Sequence, residues 1–511
     1  MRRIVALLAF LLIAVQAVAP IHSYDFFWHL ATGRWIVEHH ALPTTDPFAL
    51  AASNDRWING EWLWEIGAYA AHSIDGLKGI SYINAIFVGL LFATAFWFSS
   101  RERDIGTAAF ATAVAFAGGG LLLGVRPAAM AAMLIVLAIG ILDRRGRLSS
   151  TVVLYVLVTI VWINVHPSAL LAPLIAATTL IADRRRWRIP IASLAALLVN
   201  PFGWRAIAAP VQLTQLIGTG EFLNAEWLPS TPDVFPVLYA TIVGVVVLYL
   251  FSPPKREDWW RVIVFAGLTI LAVKHVRNQG LYFAPLPLLI PRIQLKRQAS
   301  YMLAALAIFP IAVYRADRRA GVDDERFPVR AVARLKALGL KGNIYNVDQF
   351  GGYLEWTFYP ERRVLTDGRN ELFRDFIALD AKARQDSRVW HEMQERYDFN
   401  LAVEEYGKER VRVVDVATNE ARFLPPSLVR YRRRDWALVS FDDATMIFAR
   451  RSAFPQDLID KIEYRYIVPD DPFIGYLTPE FRDGARRDIE RAKREIGDIG
   501  VVRQLAEGAA N

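Results

Sequence analysis

YDFFWHLATGRW (residues 24–35) follows the first long apolar run of the chain. It sets Asp25 and His29 one helical turn apart among Phe26, Phe27, Trp28, Leu30 and Trp35. A segment that only connects would be short and small. A carboxylate and an imidazole on an aromatic-rich helix suit an interfacial position instead. The rings would then lie along the headgroup boundary and the polar face would turn toward a site. A carboxylate beside partly dry aromatic surface gains a raised pKa and can serve as a base toward a hydroxyl. Capping the helix that follows is the simpler role for Asp25.

Composition supports a membrane setting. Of 511 residues, 54% are hydrophobic, with 15 Trp and 29 Phe, and the mean hydropathy is +0.24. A soluble chain of this length buries its core without such an excess. The absence of cysteine excludes disulfides, thiolate metal sites and Cys nucleophiles. The net charge of +8 comes from short basic clusters set between apolar runs, the pattern of a positive-inside membrane protein. It is not that of a phosphate-tracking groove, so nucleic acid is not an expected partner.

Apolar runs of about 17–25 residues, enough to cross a bilayer, recur as far as Tyr314. They lie near 4–20, 79–99, 106–124, 127–142, 150–165, 168–183, 189–205, 233–252, 260–275, 280–295 and 299–314, which makes about eleven transmembrane helices. The first run also has the features of a cleavable signal peptide, and either way the loop after it lies outside. Arg2 and Arg3, Arg101 and Arg103, DRRGR (143–147), DRRRWR (183–188), PPKRED (253–258) and RIQLKR (292–297) fall on alternate connections. Those connections are expected in the cytoplasm, with the N-terminus, and the other set outside. Arg315, Arg318 and Arg319 run against that rule but precede a large domain, which translocates largely regardless of charge.

The predicted organisation is a transmembrane domain over 1–314, with a long first outer loop at 21–78. An extracytoplasmic α/β domain over 315–452 and a charged helical tail over 453–511 follow. GNIYNV (342–347), RRVLTD (362–367), NLAVEE (400–405), WALVSF (436–441) and TMIFAR (445–450) read as strands, and FPVRAVARLKALG (327–339) as an amphipathic helix closed by Gly339. The outer loop reads as helices near 25–39 and 61–72, joined by LPTTDPF (42–48) and ASNDRWING (52–60). GGG (118–120), inside an apolar run, reads as close helix packing.

Seven of the eight histidines fall in outer segments, among them His29, His72, His166 and His275. Asp25, Asp46, Glu61 and Glu65 share the first outer loop. Arg126, Lys274 and Arg277 stand at outer helix ends, where guanidinium and ammonium groups can pair with a lipid phosphate or simply snorkel to headgroups. Asn164, His166 and Asn200 lie at the same depth. There is no GxSxG, Walker or HExxH motif, and no histidine spacing diagnostic of a metal.

The long first outer loop with an acid just past the first span, the span count and the outer C-terminal domain resemble the GT-C glycosyltransferases. These integral membrane enzymes use polyprenyl-phosphate or polyprenyl-diphosphate sugars. DFFWHLATGRWIVEHHALPTTDPF with WINGEWLWEI, and GNIYNVDQFGGYLEWTFYPERRVLTDGRNELF (342–373), are also similar to a group of bacterial multi-pass proteins. The resemblance implies Asp25 as general base, oriented by His29, and transfer with inversion at the sugar carbon. With the residues above, it gives Arg126, Lys274 and Arg277 for the donor phosphate, and Asp46, Glu61, Asn164, His166 and Asn200 for the pocket. The paired glycines of FGGYLEW read as a tight turn or close backbone approach onto a strand, and TDGR (366–369) as a turn; together they would offer Tyr353, Trp356, Asp367 and Arg369 to an acceptor, or else build the domain fold. The expected partners are a polyprenyl-phosphate-linked sugar, membrane lipid and an acceptor glycan, lipid or protein. No cofactor is called for, and without a DxD-type motif a divalent metal stays an open question. The expected location is a bacterial inner membrane, with the C-terminal domain periplasmic. The rival reading is a transporter or export scaffold with a binding outer domain; polar groups near the bilayer midplane and internal repeats would mark a transporter, and neither is evident.

Overall fold

The computed structural model describes residues 1–52, 56–144, 146–218, 225–313, 317–407, 410–414, 419–472 and 478–510. Residues 220–224 of GEFLNAEW, 53–55 of the first outer loop, and the expected domain boundary at 314–315 with Arg315 lie outside them. The chain forms two compact units. The first comprises Met1–Ser23, Thr32–Leu42 and Ile58–Gly321, and the second Tyr24–Ala31, Pro43–Trp57 and Val322–Asn511. The first outer loop is therefore divided, and two of its segments fold with the C-terminal part of the chain.

The first unit is helical. Its longest element, Trp62–Glu102, is two helices joined at a kink, where Asp75 and Gly76 leave helical geometry and Gly76 takes φ +57°. That kink falls between the two helices expected near 61–72 and 79–99. Among the described residues, Trp62–Glu102 and Ile105–Leu122 are long and apolar enough to cross a membrane. Pro127–Leu142, Leu148–Ile163, Pro167–Ile181 and Pro236–Phe251 are shorter apolar helices.

Besides 299–314, which Ala307 parts into Arg297–Leu306 and Ile308–Val313, two expected spans are not continuous. In 189–205 the helix covers only Arg188–Ala196, about 14 Å at 1.5 Å per residue against a hydrocarbon core of about 30 Å. In 280–295, the helices are only Gln279–Phe283 and Leu286–Leu289, because Pro285, Pro287 and Pro291 break the ladder. A helix the apolar pattern did not show, Arg205–Gly218, follows the first of these and carries Pro210 inside it.

Small residues let these helices meet. A Cβ on Gly89 would lie 2.9 Å from the Phe10 carbonyl oxygen, so Arg2–Gln16 packs closely there. The Phe283 ring sits on Gly118 and Gly119, the close packing expected of GGG. Pro127–Leu142 is nearly enclosed, with Ala131, Ala132, Ile135, Val136, Ala138 and Ile139 all inaccessible. Large apolar side chains are nevertheless left outside. Leu250 and Phe251 are 74% and 86% exposed, and Ile4, Leu7, Leu8 and Val15 are exposed on the first helix.

The second unit holds a four-stranded sheet in the order β1-β2-β6-β5. Its strands are β1 (Asn343–Asn346), β2 (Phe399–Glu405), β5 (Trp436–Phe441) and β6 (Thr445–Arg450), while β3 (Val411–Val414) and β4 (Ala421–Leu424) form a separate hairpin. β1 runs parallel to β2, with helices between them in sequence, and the other neighbours in the sheet are antiparallel. Four of the five predicted strands are present. RRVLTD instead contributes single bridges from Val364 to Ala49 and Ile344. FGGYLEW lies in the helix Asp348–Phe358, not at the edge of a strand. The amphipathic helix is Val329–Ala337, with Gly339 at φ +63° after its end. The tail helix Pro479–Glu495 packs on one side through Ala485, Ile489 and Ala492.

Candidate functional site

In the first unit, the sequence places Arg126 at the N-cap of Pro127–Leu142 in extended backbone. Its guanidinium donates to Glu226 Oε1 at 2.7 Å and reaches Ser23 Oγ at 3.3 Å. Arg277 belongs to the one-turn helix Val276–Asn278, which follows Trp259–Lys274, and stacks its guanidinium over the Trp227 ring at 4.6 Å. His275 contacts the Trp227 carbonyl at 2.6 Å, which fixes this turn.

His166 caps the turn Pro167–Leu170 and is buried. Its Nδ1 accepts from the Ser168 backbone N–H at 3.1 Å, so the neutral ring carries its proton on Nε2, 3.9 Å from Glu61 Oε1. Burial first, then Arg277 and Arg126, push its pKa down to about 3. At neutral pH this group is two arginines beside an uncharged imidazole.

The structure thus brings Arg126, Arg277 and Glu61 into the neighbourhood of His166. Lys274 is exposed at its helix end. Asn164 and Asn200 bond to their surroundings within the helical unit. Asn164 accepts from the Trp62 indole and donates to the Ile160 and Val199 carbonyls, while Asn200 closes its own turn through Phe202, Leu197 and Gly203. Glu65, fully buried, accepts from Asn59 at 2.6 Å, and Gly33 meets it from the other side, where a Cβ would lie 2.2 Å from the Glu65 carbonyl oxygen.

In the second unit, Asp25 is half-buried, and its Oδ1 accepts from the Trp28 indole at 3.4 Å. A Cβ on Gly368 would fall 2.6 Å from the same oxygen, so TDGR needs its glycine for this approach. His29 is buried, its ring tilted 32° against that of Trp28 with the centroids 3.5 Å apart. Phe27 packs edge-on against Phe327 and Tyr353, each at 4.9 Å.

Beside this segment lies a charge cluster that sequence reasoning did not assemble. Arg369 binds Asp367 through Nε and Nη2, and Asp46 Oδ1 at 2.7 Å, and comes within 3.6 Å of Glu355. Its guanidinium lies over the rings of Trp57, Trp28 and Phe48 at 4.5, 5.2 and 5.8 Å. Asp46 also accepts from the Phe48 and Ala49 backbone N–H groups. All four charged side chains are buried. Burial raises the Asp46 pKa despite Arg369, and raises that of Glu355 well above the ordinary range, with Asp367 adding to it. This overturns the expected roles of Asp46 in a pocket and of Asp367 and Arg369 at an acceptor surface, since their side chains are buried; Tyr353 of the same expected surface is buried as well. Trp356, the remaining residue of the expected acceptor surface, is half-exposed.

With both units described, the arrangement can be compared with known proteins. No family model matches the sequence, and no curated protein does. Solved structures do match. The archaeal oligosaccharyltransferase AglB from Archaeoglobus fulgidus, in complex with an inhibitory peptide and a dolichol-phosphate, aligns over 99% of this chain and 85% of its own at TM-score 0.59 and 11% identity. The chain shares the fold of this structure. The A. fulgidus enzyme with Zn and sulfate aligns over 98% of this chain and 83% of its own at TM-score 0.54, and its apo form over 80% and 70% at 0.53, both at 11% identity. The likeness of fold therefore extends over nearly the whole chain.

Proposed function

We propose that the protein is a membrane glycosyltransferase that moves a sugar from a polyprenyl-phosphate-linked donor to an acceptor glycan, lipid or protein on the outer face of a bacterial inner membrane. The observation that carries this reading is the likeness of fold to AglB, whose structure holds a dolichol-phosphate and a peptide. The cluster in the first unit fits it chemically. Arg126 already pairs with one oxyanion, the Glu226 carboxylate, in the manner a phosphate oxygen would use. His166, neutral and beside two arginines, keeps a ring donor without adding a third charge. The exposed apolar side chains of Arg2–Gln16 and Pro236–Phe251 suit contact with lipid.

In the proposed reaction Asp25 takes the proton of the acceptor hydroxyl, and that oxygen attacks the sugar C1. The bond from C1 to the phosphate oxygen breaks, with inversion, and the polyprenyl phosphate leaves as an anion stabilised by Arg126 and Arg277. Trp28 orients Asp25 through its indole N–H.

The test uses the purified full chain in detergent with decaprenyl-phosphate as product analogue, and lipid extracts of the source membranes as donor. Arg126→Ala and Arg277→Ala are each expected to weaken decaprenyl-phosphate binding about tenfold, the loss of one charge-assisted hydrogen bond. Asp25→Asn should leave that binding intact and lower transfer by a factor of about a hundred or more. Full transfer by Asp25→Asn would sink the mechanism, and binding indifferent to both arginines would sink the donor site.

A further inference from the structure

The second unit has a solvent-open cavity of about 300 Å3, lined by Arg433, Arg434, Arg451, Gln456, Glu463 and Arg465. The topology gathers these cations. β5 and β6 are antiparallel with Trp436 opposite Arg450, so the start of one strand meets the end of the other. The run YRRRDW (431–436) leads into β5, and Arg451 follows β6 directly. The segment 463–465 joins the same end, through the Tyr464 N–H bonded to the Leu438 carbonyl.

Two of the four guanidiniums are fixed by the backbone. Arg433 donates to the Tyr464 and Ile467 carbonyls at 3.0 and 2.5 Å, and Arg451 donates through Nε to the Arg433 carbonyl at 2.8 Å. Each of these bonds uses one of the five N–H donors a guanidinium has, and the framework holds both side chains in place without immobilising them anew on binding. Arg434 and Arg465 stand at the rim, 72% and 57% exposed. The facing acids are fewer than the cations. Glu463 is shared between Arg451 and Arg465, and Asp435 pairs with Arg434 at 3.1 Å. Asp470 and Asp488 also lie near Arg433, but Asp470 is bonded to Ser427 and Asp488 to the Tyr466 N–H.

The geometry points to a binding site for a phosphate group, clasped by Arg434 and Arg465 over the fixed Arg433 and Arg451. Planar guanidinium forks match the oxygens of a phosphate and take them in pairs. The volume exceeds that of a phosphate alone and leaves room for part of a carrier such as a sugar ring. This site is independent of the transfer chemistry proposed above and stands or falls without it.

The experiment is calorimetric titration of the full-length protein in detergent with inorganic phosphate, glucose 6-phosphate and, as the uncharged control, glucose. Both phosphates are expected to bind, glucose is not, and affinity should fall as salt rises. Glucose 6-phosphate binding tighter than inorganic phosphate would identify a carried phosphate, and equal affinities would identify the free ion. Arg434→Ala and Arg465→Ala, exposed and therefore neutral to folding, should each weaken binding about tenfold with an unchanged melting temperature. Binding unaltered by the double substitution, or heat from glucose equal to that from the phosphates, would overturn the assignment.

Discussion

Arg369 is one guanidinium facing three carboxylates, all four side chains buried. Three ionised acids would leave a net charge of −2 in a dry cluster, and burial, with Asp367 beside it, holds the Glu355 pKa well above the ordinary range. Replacing Arg369 with Met would strand Asp46 and Asp367 as buried, unpaired charges. The expected loss is roughly 3–5 kcal/mol, with part of it restored by adding Asp46→Asn. Urea unfolding followed by tryptophan fluorescence suits the test because Trp28 and Trp57 flank the guanidinium. The same curves carry a pH signature. Glu355 binds its proton more tightly folded than unfolded, so its contribution is complete below the unfolded value near 4.5 and declines as pH rises above it. Glu355→Gln should flatten that decline, and an Arg369→Met variant as stable as the parent would refute the clamp. None of this was legible in the sequence. Asp46 sits in a turn-rich stretch and Arg369 in another, and each alone reads as a surface turn residue. Only the fold brings them together, whereas Arg126, His166 and Arg277 could be grouped from sequence because each marks a break between apolar runs.

The helix Asp348–Phe358 shows what periodicity conveys and what it hides. Its two adjacent glycines signalled close approach correctly, but they also led FGGYLEW to be read as a turn onto a strand. In the fold, both glycines face backbone. A Cβ on Gly351 would fall 2.0 Å from the Thr366 carbonyl oxygen, and one on Gly352 2.7 Å from the Trp28 nitrogen. Neither partner is a flexible side-chain tip that can swing away. Gly351→Val is therefore expected to cost about 1–3 kcal/mol by overpacking, although valine itself is tolerated in helices. A thermal melt of the full chain would show it, and an unchanged melting temperature would mean that the helix can shift at no cost. The strands were legible because alternating β-branched and aromatic runs between turns have few other solutions. RRVLTD has the same composition, yet only Val364 finds bridges, to Ala49 and Ile344. The apolar runs 189–205 and 280–295 show the converse: hydropathy reports burial, while proline and local packing decide whether the buried segment is one helix or several short ones.

For the whole molecule, the decisive question is which connections lie on which side of a membrane. The charge pattern answers it one way, with the basic connections inside and the second unit outside. The chain offers a clean test, because it contains no cysteine and every thiol introduced is a unique reporter. Gly146→Cys and Lys255→Cys sit in basic connections. Asp233→Cys lies in an opposite connection, and Arg388→Cys carries the report of the second unit from a side chain 86% exposed. In spheroplasts treated with a membrane-impermeant maleimide, Asp233→Cys and Arg388→Cys are expected to label at once. Gly146→Cys and Lys255→Cys should label only after permeabilisation. The complementary pattern would invert the orientation and put Asp25 and the arginine cluster on the cytoplasmic side, requiring a cytoplasmic acceptor. Labelling of all four without permeabilisation would remove the membrane reading itself. The exposed Leu250 and Phe251 would then need a protein partner rather than lipid to cover them.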